Sequence, residues 1–248
     1  MPYLCHTKIK KTTIIKGKYM EKKYKLTDEC IKLNDRKLYR IEAIRNFGYV
    51  TKGQKGGFIE SESNLSHDGD AWVFGDAKVF GNAHVCGNAW VSDNAKVYGD
   101  AWVSSNAKVF GNACVFCNVY VIDNAKVFGN AWVSGNARIY GNAKVYGYAV
   151  VYGDSKVYGD SNVCGDSKVF GCAHISGNAN VCEDNDYIVF KNWWSSRRYF
   201  TWTRSNNMWR VGCFYGTGGE LIKKAYADSE NSGAEYERVV KYVESILK

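Results

Sequence analysis

From Ala71 to Asp184 the chain repeats every six residues without an insertion or deletion, and no other feature limits the fold as strongly. The units read AWVFGD, AKVFGN, AHVCGN, AWVSDN, AKVYGD and onward, 19 hexads over 114 residues. The third position is Val in 17 hexads and Ile in two; the first is Ala in 15; the fifth is Gly in 14; the sixth is Asn or Asp in 17. An α-helix cannot carry this pattern, because its apolar stripe recurs at 3.6 residues. Val, with a stiff branched Cβ, suits a strand. Its two neighbours then point outward by the strand's period of two. Ala fits inside where the wall bends. Gly followed by Asn or Asp tolerates the left-handed backbone of a tight corner. Each hexad is thus a short strand plus a corner, and three of them close a triangular coil of 18 residues.

With three hexads per coil, every third hexad shares a face. The first face runs Trp72/Phe74, Trp90/Ser92, Lys108/Phe110, Lys126/Phe128, Lys144/Tyr146. The second runs Lys78/Phe80, Lys96/Tyr98, Cys114/Phe116, Trp132/Ser134, Val150/Tyr152, Lys168/Phe170. The third runs His84/Cys86, Trp102/Ser104, Tyr120/Ile122, Arg138/Tyr140, Lys156/Tyr158, His174/Ser176. Stacked rings and Lys stems stabilise such a rod by themselves. They also offer a contact surface, and Trp72, Trp90, Trp102 and Trp132 are candidates for binding a partner. Two weaker hexads, from Ile59 and Leu65, precede the strict run.

This repeat resembles the left-handed parallel β-helix of the hexapeptide-repeat family. The expected fold is mainly β, a single-stranded left-handed parallel β-helix over 59–184. A small N-terminal β cap is expected over 20–58, where KYKLTDECIKL, KLYRIEAIRNFGYV and GFIES read as strands. Residues 1–19 read as a basic N-terminal extension. Residues 185–248 read as a C-terminal α+β cap or interaction domain: a three-stranded meander, then two helices around the polar break DSENSG. Caps are needed because a solenoid's ends otherwise expose core and unpaired strand edges.

The net charge of +8 is divided unevenly: +10 over 1–58, −5 over 59–184 and +3 over 185–248. A nucleic-acid footprint would therefore lie at an end. The meander interleaves Trp193, Trp194, Tyr199, Trp202 and Trp209 with Arg197, Arg198, Arg204 and Arg210. Rings alternating with guanidinium groups can stack on and pair with nucleotides. They can equally plug the rod's open end with the cations left in solvent. Nine scattered cysteines without a zinc-type spacing read as reduced thiols. No apolar run approaches the length of a membrane span.

Further resemblance lies in LYRIEAIRNFG, KGGFIES, the AKVFGN-type coils and the VGCFYGTGGEL tail. Together these are similar to hexapeptide-repeat proteins of phage and prophage genomes, often labelled transferases, over about residues 20–248. The resemblance implies a phage setting and action in the host cytosol. Many hexapeptide-repeat proteins are acyltransferases that use acyl-CoA and a general-base His between subunits. Here the coils have no insertion to shape a donor pocket. His174, outward in AHISGN, is the one weak catalytic candidate, and no cofactor or metal is expected. GTGG at 216–219 reads as a Gly-rich helix start. The leading expectation is a non-catalytic scaffold that binds a protein, with nucleic acid at the basic ends and acyl transfer as alternatives. Its target would be a host defence or nucleic-acid-processing complex. Homo-oligomerisation is compatible with the exposed ladders.

Overall fold

The computed structural model describes residues 21–193 and 196–247. The extension at 1–19 and Trp194 lie outside the described residues. Strand β1 (Tyr24–Leu33) pairs antiparallel with β2 (Arg36–Ala43), and β2 pairs antiparallel with β3 (Lys55–Ile59). Nineteen two-residue strands follow, from β4 (Trp72–Val73) to β22 (Asn180–Val181). Each pairs in parallel with the strand three hexads on, as Lys78↔Lys96 and Val79↔Val97 show. The result is a parallel β-helix of about seven coils with three flat faces, ~4.8 Å per coil. The three faces hold the residues that the 18-residue spacing assigns to them.

The core is a stack of Ala and Val rungs, fully buried from Ala71 to Val181. Corners are formed by residues in the left-handed region, mostly Gly, as at Gly129 (φ +70°). A Cβ there would meet the backbone N of Gly147, one coil on, at 3.1 Å. Where Asp replaces that Gly, its carboxylate pays the strain back: Asp93 and Asp123 accept from the amides of Gly111 and Gly141. The sixth-position side chains form amide ladders, such as Asn106 to Asn124 to Asn142 to Asp160. Cys164 and Cys182 stand one coil apart in a single column, Cα atoms 4.4 Å apart, and are joined as a disulfide. The reading of all nine cysteines as thiols therefore fails for this pair.

The first partial coil departs from the expected phase. Ile59 pairs with Val79 and Leu65 with Val85, twenty residues on. Both therefore take the inward position of Val, two residues out of step with the hexads read from the sequence.

Both ends are sealed by side chains. Between coils, N–H groups at the second, fourth and sixth positions donate to carbonyls one coil further on, as Lys78 does to Ala95 and Phe80 to Val97. The N-terminal end is thus left with orphan carbonyls at its corners, much as a helix end is left with orphan groups. Lys23 Nζ donates to Gly69 O and Ala71 O at one corner. Arg40 Nη1 donates to Gly75 O at the second, and Asn64 Nδ2 to Gly81 O and Ala83 O at the third. At the C-terminal end the orphans are amides. The second-position amides of the three faces donate to oxygens of Asp184 (from Lys168), Thr201 (from His174) and Ser205 (from Asn180). Asp186 accepts from Cys182 and Glu183.

The C-terminal sheet has four strands rather than three: β23 (Tyr187–Lys191), β24 (Tyr199–Thr203), β25 (Met208–Val211) and β26 (Phe214–Gly216). The extra strand comes from a two-residue hairpin at Gly212–Cys213, with Gly212 at φ +57° as such turns require. Side chains alternate across this sheet. Phe200, Trp202, Trp209 and Val211 pack on Leu221, Ala225, Tyr236 and Val240 of α1 (Gly218–Asp228) and α2 (Glu230–Ile246). Thr201 turns the other way, to the rod. The break between the helices is Ser229 alone, which caps α2, so most of DSENSG is helical. Thr217 caps α1, and the Glu220 carboxylate occupies that helix start, where an anion would otherwise sit. Among the described residues no helix is long and apolar enough to cross a membrane.

Candidate interaction surface

A repeat supplies its own reference, because each position has many copies against which a departure stands out. On the second face Phe80, Tyr98 and Phe116 of the N-terminal coils stack at 4.9 Å, nearly parallel and half-buried. Beyond them the pattern changes. Trp132 and Val150 replace Lys at the second position, and Tyr148 and Cys172 replace Asn or Asp at the corners flanking this face. Those are the only two sixth positions of the 19 hexads that break the rule. The two corner departures flank the stretch of this face that holds Trp132 and Val150.

The consequence is an exposed aromatic wall. Trp132 is 52% exposed, Tyr148 65% and Phe170 49%, with Tyr152 also open. Trp132, Val150 and Lys168 are in register down one column, and Tyr152 stacks on Phe170 at 5.4 Å in the next. The wall runs into a groove of about 600 Å³ between the last coil and the C-terminal sheet, lined by Phe170, Cys172, Tyr187, Ile188, Val189 and Tyr199. Lys191 sits over the Tyr199 ring at 4.0 Å and near Trp193 at 5.3 Å. Trp193, 68% exposed, ends the surface.

The remaining tryptophans of the rod behave differently. Trp72 is fully buried under the cap, edge-on to Tyr24 and Phe47, so it is not available to a partner as its outward position suggests. Trp90 is half-covered by Tyr49, Phe74 and the Lys108 ammonium. Trp102 is open on the third face beside His84. In the cap domain Trp202 and Trp209 belong to the core against the helices, not to a stacking platform. Arg197, Arg198 and Arg204 are exposed, and Arg210 lies at the junction with the rod. The basic and aromatic residues that alternate in sequence are therefore separated in part: Trp202 and Trp209 point inward and Arg197, Arg198 and Arg204 outward, while Trp193 and Tyr199 stay exposed.

His174 lies under the C-terminal sheet, half-buried, with its amide held by Thr201 and its ring edge-on to Tyr158 at 6.4 Å. Burial, then the Lys156 and Arg210 cations, lower its pKa to about 4. The imidazole is neutral at physiological pH, a weak base, and among the described residues it forms no ion pair with a carboxylate.

Comparison with known proteins gives a limited match. A family model for the YdcK β-solenoid repeat matches residues 137–153, about one coil. No curated protein matches the chain. Among solved structures, PerB from Caulobacter crescentus, in complex with CoA and GDP-perosamine, is 13% identical with a TM-score of 0.34. That alignment covers 50% of this chain and 54% of PerB, so the chain spans about half of PerB's length. A provisionally assigned acetyltransferase from Bacillus cereus is 10% identical with a TM-score of 0.30, covering 74% of this chain and 92% of the other.

Proposed function

We propose that this protein is a non-catalytic scaffold that binds a protein partner through the second face, from Trp132 to Trp193. The supporting observation is that the two corner residues that break the Asn/Asp rule, Tyr148 and Cys172, flank the same face that exposes Trp132, Tyr152 and Phe170. The wall also has the composition of an interface centre, rich in Trp, Tyr and Phe with cations at its margin. In the phage setting that the sequence resemblance implies, the partner is a host defence or nucleic-acid-processing complex in the host cytosol.

The test is retention of host proteins by immobilised full-length protein, with and without nuclease, against a triple variant Trp132→Lys, Tyr148→Asn, Phe170→Ser. Each substitution restores or borrows a residue the repeat already tolerates, so the rod is preserved. A stoichiometric partner lost from the variant, and indifferent to nuclease, is the expected result. Equal retention by both proteins would remove the second face from the reading. Loss on nuclease treatment would move binding to the basic ends.

A further inference from the structure

The third face carries a separate feature that the scaffold reading does not use. Arg138, Lys156 and His174 are in register up its second-position column, and no outward position of this face is acidic. At the top of the column, Arg210 of β25 lies opposite Thr201 on β24 and Tyr215 on β26. Its guanidinium sits 5.5 Å over the ring of Tyr158, which stacks on Tyr140 at 4.7 Å. Arg210 Nε is buried and has no hydrogen-bond partner. Among the described residues, neither Arg210 nor Lys156 forms a salt bridge.

A buried guanidinium nitrogen without an acceptor is costly, and a desolvated cation without a counterion more so. The surroundings add positive potential rather than cancel it. His174 is held neutral by burial and by the Lys156 and Arg210 cations. Burial pushes Tyr140 up to about 12 and raises Tyr215, so both phenols stay protonated and able to donate. Two cations and several phenol donors, with Asp123 the one carboxylate felt by Tyr140, give the junction the chemistry of an oxyanion site. A guanidinium fork suits a tetrahedral oxyanion in particular, because two N–H groups match two oxygens.

We infer that the junction of the third face and the C-terminal sheet binds a phosphate-type oxyanion, held by Arg210 and Lys156 beside Tyr158. The anion is either free phosphate or the backbone phosphate of a short single strand. It supplies the counterion that the part-buried guanidinium lacks, and it ties the C-terminal domain to the rod.

The experiment is a thermal-shift and calorimetric titration of the full chain with sodium phosphate, against sodium chloride at matched ionic strength. Phosphate should raise Tm saturably by a few degrees once it is about tenfold above its Kd. Arg210→Gln should abolish that shift, and Arg210→Lys, which keeps charge but loses the fork, should weaken binding about tenfold. Should Arg210→Gln fail to fold, Lys156→Gln, on the rod's outer face, should weaken binding several-fold. A matching shift with chloride, or titrations unchanged in the Arg210 and Lys156 variants, would overturn the assignment. An oligothymidylate arm separates the sources: tighter binding than phosphate assigns a nucleic-acid backbone, and equal or weaker binding assigns the free anion.

Discussion

Replacing Lys23 by Met tests whether the rod's carbonyl end is closed by a buried cation. Lys23 is fully buried, its ammonium 2.8 Å from Ala71 O and 3.0 Å from Gly69 O. Burial, opposed in part by Asp70, lowers its pKa from 10.5 to about 8. The depression corresponds to a cost of about 3 kcal/mol for keeping the charge inside at neutral pH. Its sign is definite. Between pH 8 and 10.5 the unfolded chain holds a proton that the folded chain has released, so stability rises with pH. From pH 7 to 9.5 the gain is about 2 kcal/mol. Above pH 10 the raised phenols of Tyr24, Tyr140 and Tyr187 act in the opposite sense, so the useful window ends there. Met removes the charge penalty but leaves two carbonyls without donors, at about 1–3 kcal/mol each. At pH 7 these effects nearly offset. At pH 9.5 the wild type holds a neutral amine that still donates, so the variant falls behind by about 2 kcal/mol more. Denaturant midpoints at pH steps from 7 to 9.5 measure the gap. Parallel pH profiles for the two proteins would refute the argument.

Three further outcomes are expected. Gly129→Ala should destabilise by about 1–3 kcal/mol in urea melts, because a left-handed residue with a Cβ meets the backbone of Gly147. Gly129→Asp should recover about 1 kcal/mol of that by accepting from the Gly147 amide, as Asp93, two coils earlier in the same column, accepts from Gly111. Asn64→Ala should cost about 2 kcal/mol or more, since it strips the donors from Gly81 O and Ala83 O at once, and hydrogen exchange should rise first in the earliest coils. Since His174 has a depressed pKa, its contribution to stability should be lost as pH falls from 6.5 towards 4. His174→Phe should flatten that acid limb, and an imidazole titrating near 6.5 by NMR would contradict the placement.

The coils, faces and ladders were legible in the sequence because one residue in the chain fixes the environment of another 18 positions on. What the period could not convey is what covers a given rung. Trp72 and Trp102 occupy the same place in the same AWV unit, yet one is buried and the other open. Only the cap residues Tyr24 and Phe47, which are distant in sequence, separate them. Trp202 and Trp209 were unreadable for a similar reason: alternation says that they share a side of the sheet, but not whether that side meets the rod or the helices. The Cys164–Cys182 pair is legible only through the repeat, as an 18-residue spacing that stacks the two side chains, and not through any cysteine motif. The candidate surface was legible only in part. Trp132 stands out by composition, whereas Tyr148 and Cys172 gain meaning only as neighbours of Trp132 on the folded face.

The stacking of three hexads per coil also makes eighteen residues the quantum by which this chain can change length. Deleting one whole coil, for example 107–124, would shorten the rod by one rung and leave the upper half of the second face aligned with Tyr199 and Trp193. Deleting a single hexad between Trp132 and the C-terminal sheet, for example 155–160, would turn everything beyond it by a third of a revolution about the long axis. The C-terminal sheet would then carry Trp193 round to a different face from Trp132, with every cap still able to find a corner. A ruler of this kind tolerates translation and forbids rotation, so length variants in whole coils should keep partner binding and variants in single hexads should not.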